Sequence, residues 1–272
     1  MVLAVLGGLV LATLAVSGLM RSCKDATALS SADRLFGGGG SSSESTAGTP
    51  PTATTGHQNG GKPAAVPRVL VKHGVRGAAK VVAIAFQLRA VPGRPAGVDR
   101  ALIDALKTDD ATATFFMAGL WAEAHRDVAA ELAKMPHIEI GNGGYSAEYL
   151  RKMPADVVRV RTQLAQEAIR SATGVTPQIY RDAQVAYSTT SIDVIAGLGL
   201  RPVSGDIDLT RVNPKLSTVE MSQMAIVKAK PGSIIVLPGD GADPRAARAF
   251  VRILGGLKRA GFELVPVSDL AK

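Results

Sequence analysis

The chain predicts an α/β domain built on a parallel sheet, and three observations lead there. Short apolar runs alternate with amphipathic stretches from about residue 80 to the end. The stretches between the runs are mostly 10–18 residues long, the length of crossover helices rather than hairpin turns. Apolar residues make up 46% of the chain and charged residues 20%, enough to bury a core.

The elements follow in order. Residues 80–86 (KVVAIAF) form a β-branched apolar run, and 98–107 (VDRALIDALK) has helical spacing. Residues 113–117 are expected to be a strand, 119–134 one amphipathic helix and 138–140 a further strand. A long helix is expected across 154–171, with Pro154 suited to its first turn. Shorter units complete the pattern: strands at 178–180, 201–203, 233–237 and 263–266, and helices at 189–198, 217–228 and 243–260. Periodicity does not distinguish an open sheet from a closed barrel.

Three segments are expected: an anchor or signal at 1–22, a linker at 23–67 and a domain at 68–272. Residues 2–20 carry no charge, and nineteen residues of helix span about 28 Å, close to a bilayer's hydrocarbon thickness. Nothing basic precedes this run, so a retained membrane anchor is favoured over a cleaved signal. Residues 37–66 are Gly, Ser, Thr and Pro with almost no large apolar side chain, and a disordered tether is expected there. The net charge is +8, nearly all of it on the domain. That excess favours anionic neighbours such as a phosphate-rich envelope polymer, a membrane surface or nucleic acid, although a solvated basic face is the preferred reading of it. Aromatics are only 4%, and the single Cys23 excludes an intrachain disulfide.

Val82-Ala83-Ile84-Ala85-Phe86, Glu139-Ile140-Gly141-Asn142, Ile179-Tyr180-Arg181 and Lys230-Pro231-Gly232-Ser233-Ile234-Ile235 together resemble the NodB-type polysaccharide deacetylases, carbohydrate esterase family 4. Val82-Ala83-Ile84-Ala85-Phe86 resembles the strand leading into that family's Asp-Asp motif. Ala113-Thr114-Phe115-Phe116 with Trp121 resembles its next strand and helix, and Glu139-Ile140-Gly141-Asn142 the lead-in to its metal-histidine motif. Ile179-Tyr180-Arg181 resembles its Arg motif, while Lys230-Pro231-Gly232-Ser233-Ile234-Ile235 and Gly261-Phe262-Glu263-Leu264-Val265-Pro266 resemble its C-terminal strands. The resemblance implies an irregular (β/α) barrel of seven or eight strands, with function at the C-terminal strand ends. It also implies a domain outside the membrane, against the cytoplasmic bias of Arg21 and Lys24 just after the span.

The same resemblance places the family's chemical slots on unsuitable residues. Gln87 and Leu88 stand where the family has a general base and a metal ligand, and Gly143 and Ala147 where it has two metal-binding histidines. Pro238 stands in the slot of its histidine general acid. The zinc site is therefore expected to be lost, with no cofactor in its place. None of the four histidines (His57, His73, His125, His137) falls at a C-terminal strand end. If the strand ends keep the family's geometry, returning Asp to 87 and 88 and His to 143 and 147 restores metal affinity.

Arg181, Asp206, Asp208, Asp240 and Tyr145 remain as binding candidates. The three aspartates either converge on a hard cation or are ordinary turn residues, and the second reading is preferred. Arg181 suits a ligand carboxylate or phosphate, or an internal ion pair with Asp206. Two functions stay open. One is a non-catalytic, membrane-tethered module that binds an envelope glycan, an anionic polymer or a protein, with nucleic acid not expected. The other is an active carbohydrate deacetylase or hydrolase using non-standard residues such as Asp206 or Asp240.

Overall fold

A computed structural model describes residues 65–76, 79–90, 97–147 and 149–272. The expected anchor at 2–20 and the linker up to residue 64 lie outside these residues. Among the described residues, no helix is long and apolar enough to cross a membrane.

Eight parallel strands form one curved sheet: β1 (Val81–Leu88), β2 (Ala113–Met117), β3 (Ile138–Asn142), β4 (Ile179–Tyr180), β5 (Arg201–Pro202), β6 (Ile207–Asp208), β7 (Ile234–Pro238) and β8 (Glu263–Leu264). The strand order is β5-β4-β3-β2-β1-β7-β6, with β8 paired to the start of β1. Alternation along β1 sorts two apolar layers. Val82, Ile84, Phe86 and Leu88 face the helices, where Phe86 stacks on Phe115 at 5.0 Å and meets Phe250 edge-on at 5.4 Å. Ala83 and Ala85 face the lumen with Phe116, Ile179, Val203, Ile234 and Val236. Gly141 is needed in that lumen, because a Cβ there would lie 2.6 Å from the Phe116 ring.

The helices are α1 (Arg100–Asp109), α2 (Gly119–Ala124), α3 (Arg126–Lys134), α4 (Ala155–Thr173), α5 (Thr189–Gly197), α6 (Thr218–Lys228), α7 (Ala246–Arg259) and α8 (Val267–Leu270). Local chemistry starts and stops them. The Asp99 carboxylate accepts the Ala101 amide at the head of α1. Ser188 and Ser217 form capping boxes before α5 and α6, and Gly174 closes α4 in a left-handed conformation at φ 75°. The expected helix at 119–134 is two helices, broken at His125, whose ring lies against Trp121 at 5.1 Å. Pro266 starts α8, so the expected strand at 263–266 pairs only as Glu263–Leu264.

The expected irregular (β/α) barrel is observed as a half-barrel. No helix separates β5 from β6, and no ladder joins them; residues 203–206 carry the chain directly from one to the other. β6 has only two residues, too short for periodicity to reveal. The segment before β1 covers part of this seam: the Val71 amide donates to Pro202 O, and Val71 O accepts from the Ser204 amide. At the N-terminal end of the sheet α8 forms the floor, where the Val267 amide donates to Thr114 Oγ1 and Thr114 donates to Glu139.

Candidate functional site

The odd-numbered face of β1 brings Gln87 into the lumen at the C-terminal strand ends, where it is fully buried. Arg181 follows β4 directly and is also fully buried. Its Nη1 donates to Gln87 Oε1 at 2.7 Å, its Nε to Ser204 O at 3.0 Å and its Nη2 to Asp208 Oδ2 at 2.9 Å. The Gln87 amide nitrogen donates in turn to Phe116 O at 3.4 Å. Asp208 ends β6 and accepts from both the amide and the hydroxyl of Thr210, at 2.9 and 2.6 Å. One guanidinium thus ties β4, β1 and β6 together across the seam that lacks a ladder. Burial pulls the Arg181 pKa down, and the neighbouring Asp208 carboxylate pushes it back up.

The three aspartates do not converge. Asp206 lies at the opposite, N-terminal end of β6, where Arg76 Nη2 donates to it at 2.6 Å and the Ile234 amide at 2.7 Å. The ion pair left open between Arg181 and Asp206 is therefore corrected: the partner is Asp208 at the end of β6, whereas Asp206 precedes the strand and is held at its other end by Arg76 and the Ile234 amide. Asp240 is buried after β7 and pairs with Arg89 Nε at 2.7 Å. Among the described residues, no group of three or more His, Cys, Asp or Glu is placed to hold a metal.

The remaining candidates are scattered by the same packing. Leu88 points into the helix layer rather than the lumen and packs under Gly239. A Cβ on Gly143 would lie 2.6 Å from the backbone carbon of Met117, since the Gly143 amide already donates to Met117 O at 2.7 Å. Ala147 is exposed on the loop beyond β3, and Pro238 is buried beside Gln87 in the ladder register. Tyr145 faces the helices: its OH lies 3.5 Å from Glu123, and Arg161 sits 5.7 Å over its ring. A catalytic zinc needs about three side-chain ligands around one open position. An engaged amide, an alkyl side chain in the apolar layer and a glycine without room for a side chain do not fit that ion.

Asp182, beside Arg181, is a titratable group that pattern reading passed over. It is 1% exposed, and burial raises its carboxyl to about 6, opposed by backbone N–H donors from Ala186 and Gln184. The Asp182 amide donates to the Tyr187 hydroxyl at 2.8 Å, and that hydroxyl donates to Val203 O at 2.8 Å. Burial pushes the Tyr187 hydroxyl well up, so it stays protonated. Tyr187 and Tyr180 are structural rather than stacking platforms, both being buried. The exposed aromatic on this side is Tyr149, signalled in sequence only by the basic pair Arg151-Lys152 beside it.

Comparison with known proteins agrees with this architecture. Residues 74–203, the segment that holds β1 to β5, match the polysaccharide deacetylase family. The chain is 27% identical over 188 residues to a chitooligosaccharide deacetylase of Azorhizobium caulinodans, covering 62% of this chain and 86% of that protein. It is 24% identical over 194 residues to a bifunctional xylanase/deacetylase of Pseudobutyrivibrio xylanivorans, covering 70% of this chain but only 30% of that longer protein. Among solved structures, a carbohydrate esterase family 4 pseudoenzyme from Bacillus anthracis superimposes with a TM-score of 0.65 at 18% identity, over 76% of this chain and 70% of that one. At that identity the likeness speaks for the fold alone.

Proposed function

We propose that this protein is a non-catalytic polysaccharide deacetylase-like module, tethered to the membrane through residues 2–20, that binds an envelope glycan or a partner on the outer side. The observation that carries this reading is the 2.7 Å hydrogen bond from Arg181 to Gln87. The lumen position nearest the family's base slot holds an amide, which does not take up a proton at neutral pH, and both ends of that amide are already engaged. The fit of the other slots supports the same reading, since none brings a metal donor into the lumen. A hydrolase built on Asp206 or Asp240 is disfavoured, because each carboxylate is paired with its own arginine, one of them at the far end of the sheet.

The test is zinc retention and acetate release by the full chain on an acetylated glucosamine polymer, with added Zn²⁺. Neither is expected. Turnover above the background of heat-denatured protein overturns the non-catalytic reading. Protease added to intact cells is expected to cut the 37–66 stretch, and complete protection reverses the proposed orientation.

A further inference from the structure

Beside the lumen lies a groove of about 350 Å³, lined by Tyr149, Arg151, Lys152, Gln184, Val185, Ala186 and Arg211. Its walls come from three loops that follow β3, β4 and β6, so it opens on the C-terminal side of the sheet. Among the described residues that line it, three side chains are cations and none is a carboxylate. Asp208 lies 3.9 Å from Arg211 but is already committed to Arg181 and Thr210. Lys152 has no ion pair among the described residues, and Arg211 keeps half of its side chain exposed. Tyr149, at 59% exposure, presents an aromatic face at the same groove.

The groove has a built wall. Val185 has φ 49°, a left-handed conformation that a β-branched residue adopts only when its surroundings impose it. They do so here: the Val185 amide donates to Asp182 O, the Ala186 amide to the Asp182 carboxylate at 2.9 Å, and Tyr187 anchors the turn from below. The Tyr187 carbonyl also accepts from Arg151 Nε at 3.3 Å, which fixes one of the three cations. Strain held by a buried carboxyl and a buried phenol, next to a groove whose described lining is basic, suits a preformed ligand wall.

We infer that this groove binds an anionic glycan, with a sugar ring laid on Tyr149 and its phosphate or carboxylate held by Arg151, Lys152 and Arg211. The inference rests on the non-catalytic reading above and moves recognition off the barrel axis, into loops beside the lumen. Guanidinium and ammonium groups grip oxyanions through charge-assisted hydrogen bonds, and an exposed tyrosine offers an apolar face with a polar edge.

The experiment uses the detergent-solubilised full chain and measures affinity for four probes: a glycosyl-phosphate oligomer, polygalacturonate, a neutral chitooligosaccharide and a thymidine homopolymer of matched length. At least one charged glycan is expected to bind about tenfold more tightly than the neutral one, and the preferred arm separates phosphate from carboxylate recognition. Lys152→Glu with Arg211→Glu is expected to weaken that binding at least about tenfold, and Tyr149→Ala about threefold to tenfold, with melting temperature unchanged. Lys228→Glu, on the far helix α6, leaves affinity unaltered. The inference is overturned if the double reversal changes affinity less than about twofold, or if Lys228→Glu matches its effect. It is also overturned if the thymidine homopolymer binds as tightly as the glycans with no dependence on Tyr149, which makes the patch a general polyanion surface. A wild type that binds only neutral glycan sinks the groove and leaves the non-catalytic module standing, whereas acetate release sinks the module itself.

Discussion

Replacing Arg181 by Met removes a side chain that spans the seam of the half-barrel. Arg181 is fully buried, and its three hydrogen bonds reach β1, the β5–β6 turn and the end of β6. Methionine roughly fills the stem volume but leaves Gln87 Oε1, Ser204 O and the Asp208 carboxylate without that donor. Removing one partner of a buried pair costs about 3–5 kcal/mol. Asp208 is 24% exposed and keeps its two bonds from Thr210, so the lower end, about 3 kcal/mol, is expected. For a domain of this size that is a fall in melting temperature of roughly 6–12 °C. The loss is also expected to be local. Amide exchange of Val203 and Leu209, whose N–H groups bond to Tyr180 O and Val236 O on either side of the seam, should quicken more than that of β1 and β2. Lys at 181 restores the charge but not the three-way fork and is expected to recover less than half of the loss. A melting temperature within 2 °C of wild type, or uniform exchange across the sheet, refutes the assignment of Arg181 as the clasp.

Two further perturbations test the packing around the site. Asp182, raised to about 6 from an ordinary 3.8, makes folding favour its protonated form, so its contribution is full below about pH 4 and is lost as pH rises through 6. The stability of wild type relative to Asp182→Asn is therefore expected to fall by on the order of 3 kcal/mol between pH 4 and pH 7, and chemical denaturation showing a flat difference contradicts it. Restoring the family's ligands is expected to unfold the domain rather than load it. Leu88→Asp places a carboxylate in the apolar helix layer, and Gly143→His drives a side chain into the Met117 backbone, each costing roughly 3 kcal/mol or more. Zinc binding by a folded double variant, read by elemental analysis and calorimetry, defeats that expectation.

Much of the scaffold was legible because it rests on local pattern. The runs at 80–86, 113–117 and 233–237 are continuous and apolar, as strands buried on both faces must be. Each of the longer helices carries its own spacing or cap. β6 and the break at His125 were not legible, since a two-residue strand and a one-residue interruption carry no period. The candidate site divides in the same way.

Gln87 and Arg181 stood out as single residues at strand ends, but their 2.7 Å bond joins positions 94 residues apart. The order of residues sets which side chains exist at each strand end, and so that no histidine stands there. Which of them meet depends on how the strands pack. The twist and register of β6 send Asp208 to the lumen and Asp206 to the floor. The pleat of β1 turns Gln87 inward and Leu88 outward. The basic groove likewise needs three loops separated by some 60 residues of sequence to come together, a proximity set by sheet order and invisible to any local pattern.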